Sequence, residues 1–178
     1  MVPVARLFVA VLCFTAGTAT AEVINGLVIH VDDGDTVTLL VSRKEKLSIR
    51  LANIDAPERS HTKQESGRVG QPYSEISRRS LESLAKGKDA VADCSAIDRY
   101  RRLVCDIVVD GRSVNVEQVS RGLAWANRQS NGRYLNDKTL IQVEKDARTR
   151  GLGLWADKSP VPPWEWRNLC WEQGFCSR

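Results

Sequence analysis

Apolar positions in the first half of the chain have the spacing of β-strands. Residues 24–31 and 35–41 are rich in β-branched side chains and flank a turn-forming Asp-Asp-Gly sequence at residues 32–34. In residues 46–53 apolar and polar side chains alternate, which places Arg50 on the side of the strand that faces away from the apolar positions. We therefore predict three strands in this part of the chain.

The second half of the chain combines two more strands with three helices. Residues 89–94 and 103–109 predict strands. Helices are predicted at 72–85, 113–122 and 136–150 because the apolar positions of each segment would fall on one face of a helix. The residues expected on the buried faces of these helices are Ile76, Leu81, Leu84, Val116, Val119, Leu123, Leu140, Val143 and Ala147. Five strands and three helices indicate an α+β fold, a five-stranded OB-type β-barrel with helices on one side.

The two ends of the chain differ from this central region. Residues 1–21 have an early arginine, a short apolar run and small residues ending at Ala21, a pattern typical of a secretory signal that is cleaved after Ala21. The apolar run is too short to span a bilayer. Residues 157–178 are rich in proline and tryptophan, so we expect an irregular extension that packs across a single domain at 22–156.

The charge balance is mildly basic. The chain has 26 basic and 22 acidic residues, and loss of one arginine with the signal would leave 25 basic residues and a net charge of +3. Such a surface suits a polyanionic partner, although proteins without such a partner also have an excess of this size.

Four cysteines remain after the signal. An even number of cysteines in an exported chain predicts disulfides. Cys94 and Cys105 are placed symmetrically about the turn between the last two predicted strands, so they would face each other on paired strands. Cys170 and Cys176 would then form a second disulfide in the extension.

Acidic side chains and one arginine form a candidate chemical site in residues 31–58. Asp35, Asp55 and Glu58 offer oxygen ligands, and Arg50 lies among them with no cysteine or histidine in the group. Oxygen-only ligands favour Ca²⁺ or Mg²⁺ over zinc, and a guanidinium matches a phosphate oxygen. Metal-assisted phosphodiester chemistry is therefore the first functional hypothesis.

Six motifs extend this pattern along the chain. They are Asp33-Gly34-Asp35-Thr36, Ile49-Arg50-Leu51, Ile54-Asp55-Ala56-Pro57-Glu58, Asp98-Arg99-Tyr100-Arg101-Arg102, Val114-Asn115 with Gly122-Leu123-Ala124, and Gly151-Leu152 with Leu154-Trp155. With these motifs in this order, the chain resembles the thermonuclease, or staphylococcal nuclease, family over residues 23–156. The resemblance implies a nuclease-type OB barrel and a Ca²⁺-dependent nuclease that leaves 3′-phosphate ends.

The resemblance also implies a role for each matching site residue. Asp35 and Asp55 would be carboxylate ligands of Ca²⁺, with the backbone carbonyl of Ala56 as a further ligand. Glu58 would orient or deprotonate the attacking water. Arg50 and Arg102 would bind the phosphate and stabilise the charge that develops on it.

Two positions depart from the family pattern. Arg101 stands where the family usually has glycine, and Asn127 stands where it often has a tyrosine that packs on the nucleotide. Arg101 could shift Arg102 or add a phosphate contact. Asn127 could change affinity or base preference, while the chemistry should not depend on it.

Several further residues have a functional and a structural interpretation. Lys63, Arg68, Arg101 and Tyr134 are candidate substrate contacts, against the alternative that they are solvated surface residues. Asp33 and Asp98 are interpreted as turn residues. Tyr100 and Trp125 are interpreted as packing residues. His30 and His61 could in principle support metal-free RNA cleavage by acid–base transfer.

The hypothesis that follows is an exported nuclease, periplasmic or extracellular and monomeric, with no membrane contact after signal cleavage. Its substrate would be DNA, with RNA as a second candidate, and its sequence preference would be weak because no base-reading element is evident. The alternatives are a non-catalytic OB-type module that binds nucleic acid or protein, and an exported structural protein held by disulfides. Neither alternative explains why the acidic and arginine positions occur together.

Overall fold

The computed structural model of the chain describes residues 22–60 and 68–176. The predicted signal at 1–21 lies outside the described residues, as do Lys63 and His61. The strands of the described ranges are β1 (Glu22–Val31), β2 (Thr36–Leu40), β3 (Lys46–Leu51), β4 (Ile54–Asp55), β5 (Asp89–Ile97), β6 (Leu103–Val109), β7 (Arg112–Ser113) and β8 (Trp125–Ala126).

Five long strands close into a barrel, as predicted. The main sheet has the order β3-β2-β1-β5-β6-β7, and β3 also pairs with β6. Neighbouring strands are antiparallel except for this closing pair, which is parallel and aligns Arg50 with Val104. A separate antiparallel pair joins β4 to β8. Closure brings the end of β3, where the site residues begin, next to the start of β6.

Every second side chain of each strand points inward, and these side chains fill the barrel interior. These side chains are almost fully buried, and they include Val28, Val37, Leu39, Ile49, Leu51, Ala92, Cys105 and Ile107. Several polar positions on these strands are exposed instead, including Ser48, Asp89 and Asp93. The predicted face of Arg50 is confirmed, because its neighbours Ile49 and Leu51 point into the core while its guanidinium reaches the carboxylates described below.

Helices pack against the barrel and share its core. They are α1 (Ser74–Ala85), α2 (Val114–Ser120), the single turn α3 (Gln129–Gly132), α4 (Thr139–Thr149) and α5 (Pro163–Trp166), with a 3₁₀ turn at Gly153–Ala156. The Ser113 hydroxyl caps α2 by accepting a hydrogen bond from the amide of Val116. Leu81, Val119 and Leu140 are buried as predicted.

One predicted buried position is wrong. Ile76 is 56% exposed, and Ser77 is buried in its place on α1. The Ser77 hydroxyl donates a 2.7 Å hydrogen bond to the carbonyl of Leu123, which satisfies a polar group inside the protein. The inner face of the first turn is therefore set by this hydrogen bond rather than by the apolar spacing.

The C-terminal extension is more regular than predicted. After α5, Arg167–Glu172 continues as a π-helical segment, so the expectation of an irregular tail is wrong. Pro163 occupies the first helical turn, where its lack of an amide hydrogen costs no helical hydrogen bond. Packing across the domain is confirmed, since Trp166 is 6% exposed and its indole N–H donates to the carbonyl of Val69.

Both predicted disulfides are present. Cys94 and Cys105 are register partners on β5 and β6, with their Cα atoms 4.0 Å apart, and Cys170 bonds to Cys176 in the extension.

Across residues 22–60 and 68–176, none of the helices has the length and apolar character needed to cross a membrane.

Candidate active site

Two buried carboxylates share one arginine at the end of the barrel. Asp35 lies in the turn before β2, Asp55 lies in β4, and they are 3% and 0% exposed. Arg50 of β3 reaches both, with Nη1 3.2 Å from Asp35 Oδ1 and Nη2 2.7 Å from Asp55 Oδ1. Three of the residues predicted from the sequence to form a site are therefore in direct contact.

The backbone around Asp35 fixes the direction of its carboxylate. Asp33 Oδ1 accepts a hydrogen bond from the Asp35 amide, which confirms the turn role of Asp33. The amide of Ala56 donates to Asp35 Oδ2 at 2.9 Å. Gly34 is needed here, because a Cβ at that position would lie 2.0 Å from the Ser77 hydroxyl of α1.

Arg102 joins the same hydrogen-bonded group through Thr36. Its Nη1 donates to Thr36 Oγ1 at 3.3 Å, and that hydroxyl donates to Asp35 Oδ1 at 3.1 Å. Asp98 holds Arg102 from the other side by accepting from its Nε at 2.8 Å and from its amide at 2.9 Å. The interpretation of Asp98 as a brace of the hairpin tip is confirmed.

Glu58 is held by a residue that the sequence analysis missed. Arg167 of the extension donates to Glu58 Oε1 and also lies 2.8 Å from Asp55 Oδ2. Its guanidinium makes further contacts at 3.3 Å with Asp55 Oδ1 and with Gln129 Oε1. The local sequence around Arg167 is tryptophan-rich and contains no motif, so no pattern pointed to this contact.

Gln71 connects the backbone of Glu58 to the extension. The backbone N–H of Gln71 donates a hydrogen bond to the backbone carbonyl of Glu58 at 2.7 Å, and the side-chain Oε1 of Gln71 accepts one from the backbone N–H of Glu58 at 3.2 Å. The side-chain Nε2 of Gln71 donates to the carbonyl of Val161. Gln71 is 5% exposed, so this link is protected from competing water.

Burial raises the pKa values of two carboxyl groups in this hydrogen-bonded group, Asp35 and Glu58. Burial raises the pKa of Asp35 to about 7, and the charge of Asp55 adds to the increase while Arg50 opposes it. Burial likewise raises the pKa of Glu58 to about 7 against the opposing charge of Arg167. Although burial lowers the pKa of Arg50, Asp35 and Asp55 more than compensate and raise it above its usual range. The group would therefore be stabilised by additional positive charge.

The donor chemistry fits a hard divalent cation. Asp35, Asp55 and the Ala56 carbonyl offer oxygen atoms only, which is the preference of Ca²⁺ and Mg²⁺. Within residues 22–60 and 68–176, no three acidic, histidine or cysteine side chains form a complete metal-binding group. A cation here would therefore take part of its coordination shell from main-chain oxygen and water.

The secondary candidates lie at different places. Arg101 is exposed and has a φ of 65°, a left-handed conformation that explains why glycine suits this position. The guanidinium carbon of Arg68 lies 4.8 Å from the ring centroid of Trp171. Tyr134 is 48% exposed. Within residues 22–60 and 68–176, no hydrogen bond, ion pair or ring contact joins Tyr134 to Asp35, Asp55 or Glu58. His30 is exposed, and its Nε2 lies 3.4 Å from Asp32 Oδ1.

Asn127 does not present its side chain as an exposed packing surface. It is 5% exposed, and its Oδ1 accepts a hydrogen bond from the Gln129 amide. The backbone N–H of Asn127 donates a hydrogen bond to the backbone carbonyl of Asn53. Trp125 is 2% exposed and packs edge-on against Trp155, which confirms its interpretation as a packing residue.

Comparison with known proteins finds a matching family model and several similar sequences. The family model described as "Staphylococcal nuclease homologue" matches residues 48–157. An "Uncharacterized endonuclease" of Escherichia coli O157:H7 is 38% identical over 146 residues, covering 82% of this chain and 86% of that protein. An "Uncharacterized endonuclease" of Haemophilus influenzae is 34% identical over 140 residues, covering 79% and 71%.

A further relative is the "Micrococcal nuclease" of Shigella flexneri, which is 31% identical over 151 residues, covering 80% of this chain and 79% of that protein. The family match covers more than half of the chain and includes most of β3 and all of β4 and β6, the strands that hold or adjoin Arg50, Asp55 and Arg102. The chain therefore belongs to the staphylococcal nuclease family.

Proposed function

We propose that this protein is an exported, Ca²⁺-dependent nuclease that hydrolyses phosphodiester bonds in DNA and RNA with little sequence preference and leaves 3′-phosphate ends. One observation carries the proposal. Asp35, Arg50, Asp55, Glu58 and Arg102 form a single network of hydrogen bonds and ion pairs, to which Arg167 and Thr36 also belong. Family membership and the names of the relatives support nuclease activity.

Each side chain has a role in the proposed reaction. Asp35, Asp55 and the Ala56 carbonyl would hold Ca²⁺, which when bound supplies positive charge to a non-bridging phosphate oxygen. Glu58 accepts a hydrogen bond from the attacking water and orients it. Arg50 and Arg102 bind the phosphate oxygens, where charge increases as the bond from water to phosphorus forms and the bond to the 5′ oxygen breaks. The water gives up its proton to Glu58, and the 5′ oxygen leaves as a hydroxyl with a proton from solvent.

Export is supported by the two disulfides, because structural disulfides persist in oxidising compartments. The predicted signal supports it from the sequence. We propose a periplasmic or extracellular location and a monomer.

Digestion assays test the function. Purified protein is incubated with single-stranded DNA, double-stranded DNA and RNA in Ca²⁺, alongside an EGTA control and the Glu58→Gln variant. We expect cleavage that EGTA abolishes and that Glu58→Gln lowers by about 10²- to 10³-fold. Glu45→Gln, which alters an exposed glutamate, serves as the matched control. The new ends should accept a 5′ phosphate from a polynucleotide kinase without prior dephosphorylation.

Other outcomes would contradict the proposal in distinct ways. Cleavage that survives EGTA would favour a histidine-based or different metal mechanism. A folded protein that binds DNA without cutting it would favour the OB-type binding module.

A further inference from the structure

The contacts of Arg167 are those of a built site rather than of a surface side chain. The guanidinium uses two nitrogens on the carboxylate of Asp55, at 2.8 and 3.3 Å, and one of these also donates to Glu58. The Arg167 side chain is 25% exposed. A guanidinium that grips a carboxylate through two nitrogens fixes its rotation as well as its position.

The segment that carries Arg167 is fixed on both sides of it. The neighbouring Trp166 is buried, and the indole N–H groups of Trp166 and Trp171 donate to the same Val69 carbonyl at 3.2 and 2.9 Å. Cys170 is 2% exposed and is bonded to Cys176. The position of Arg167 is therefore determined by packing, hydrogen bonds and a covalent link.

Glu58 and this segment form one connected unit. Gln71 pairs with the backbone of Glu58 in both directions and donates to Val161. Among residues 22–60 and 68–176, Arg167 is the only side chain that pairs with the Glu58 carboxylate. Loss of the guanidinium would leave Glu58 without an ion pair beside the negative charge of Asp55, so either carboxylate could rotate away.

We propose that Arg167 is a positioning residue of the active site, which holds the carboxylates of Asp55 and Glu58 in the orientation that phosphodiester hydrolysis requires. This inference rests on the proposed function, since that function assigns the two carboxylates their roles. It also means that the active site extends beyond residue 157, the C-terminal end of the family match, as Asp35 already extends it before residue 48.

Arg167 could instead block the site by occupying the carboxylates. Its placement argues against this. Arg50 already takes Asp55 Oδ1 at 2.7 Å, and Arg167 makes its shorter contact to the other oxygen. An ionised carboxylate has about four acceptor positions, and the two guanidinium groups use three of them on Asp55, so a position is left there for a further ligand.

Kinetics of Arg167→Gln, Arg167→Ala and Arg167→Lys, made in the full chain, test the inference. We expect the first two to lower kcat by about 10- to 100-fold, the usual effect of losing a partner of an active-site ligand, with KM changed less than threefold. Arg167→Lys should recover part of the loss, because an ammonium can pair with only one carboxylate at a time. Methylguanidine added to Arg167→Ala should also restore part of kcat, which a purely structural role would not allow.

Arg112→Ala, an exposed arginine on β7, is the matched control and should retain the wild-type kcat. Melting curves establish that each variant is folded. An unchanged kcat in folded Arg167→Gln would overturn the inference. A raised kcat at low Ca²⁺ would overturn it in favour of a blocking role, and a rise in KM alone in favour of substrate binding. Inactive wild-type protein would instead contradict the proposed function itself.

Discussion

At the scale of single residues, each proposed catalytic side chain is oriented by a partner in the folded protein. Arg50 lies between Asp35 and Asp55, and Arg102 lies between Asp98 and Thr36. Groups held in this way contribute more to a reaction because little free energy is needed to orient them when charge develops. Partners that never touch substrate should therefore affect the rate.

Asp98→Asn tests this dependence. The replacement keeps the shape of the side chain but removes the charge that pairs with Arg102 at 2.7 Å. We expect the free energy of unfolding at pH 7 to fall by about 1–2 kcal/mol and kcat to fall about 10-fold. Urea denaturation and nuclease kinetics measure the two effects. A variant with wild-type kcat would show that Arg102 needs no such partner.

The stability effect of Asp98 should depend on pH. Burial acts to raise the pKa of Asp98, but hydrogen bonds and charge from Arg102 outweigh burial and hold it below the ordinary value of 3.8. A carboxyl group whose pKa is lower in the folded state stabilises the protein at pH values above its pKa in the unfolded chain. This stabilisation is lost as the pH falls through its pKa in the folded state. The difference in the free energy of unfolding between wild type and Asp98→Asn should therefore become smaller below about pH 4.

At the scale of elements, a buried glutamate joins α4 to β8. Glu144 is 2% exposed and accepts a hydrogen bond from the Ala126 amide at 2.8 Å. Arg128 and Arg148 each lie 2.7 Å from its Oε1. Since β8 pairs with β4, which carries Asp55, this contact supports the strand pair beneath the active site.

Glu144→Ala should be strongly destabilising. It leaves the Ala126 amide without its acceptor and removes the partner of two arginines, for which we expect a loss of about 3 kcal/mol in the free energy of unfolding. Gln142→Ala, on an exposed position of the same helix, should cost less than 1 kcal/mol. Equal effects of the two replacements in urea denaturation would contradict this role for Glu144.

The elements themselves were largely predictable because their signals are local. Alternation in β3 and the spacing of Leu140 and Ala147 in α4 identify a strand and a helix without knowledge of the rest of the chain. The failures occur where a tertiary contact overrides the local pattern. Ser77 is buried because it bonds to Leu123, and Glu144 is buried because arginines from two segments neutralise it.

At the scale of the whole molecule, binding of a cation to the folded site should raise overall stability. A ligand present at about 100 times its Kd adds about 2.7 kcal/mol if it binds only the folded state. For a protein of this size the corresponding increase in Tm is roughly 5–10 °C. Melting curves with Ca²⁺ or EGTA should show this increase in wild type.

Asp55→Asn should lose most of that Ca²⁺-dependent increase, whatever its own starting Tm. Asp89→Asn, at an exposed position of β5, should keep it. An equal Ca²⁺-dependent shift in wild type and Asp55→Asn would place the cation elsewhere.

The active site as a whole was predictable only where its residues belong to recognisable motifs. Asp35, Arg50, Asp55, Glu58 and Arg102 lie in such motifs, and the structure brings them together. Arg167 meets Asp55 across a sequence separation of 112 residues. No periodicity or local composition encodes a contact of this range, because it results from how the extension packs on residues that are themselves brought together by barrel closure.

This separation also determines when the site can exist. Asp55, Arg102 and Arg167 come together only after the barrel has closed and the segment through residue 167 has been synthesised and docked. A growing or extended chain therefore carries the acidic residues without the assembled site. On the proposed mechanism, a chain that has not yet folded cannot hydrolyse nucleic acids, so activity should begin only when folding is complete.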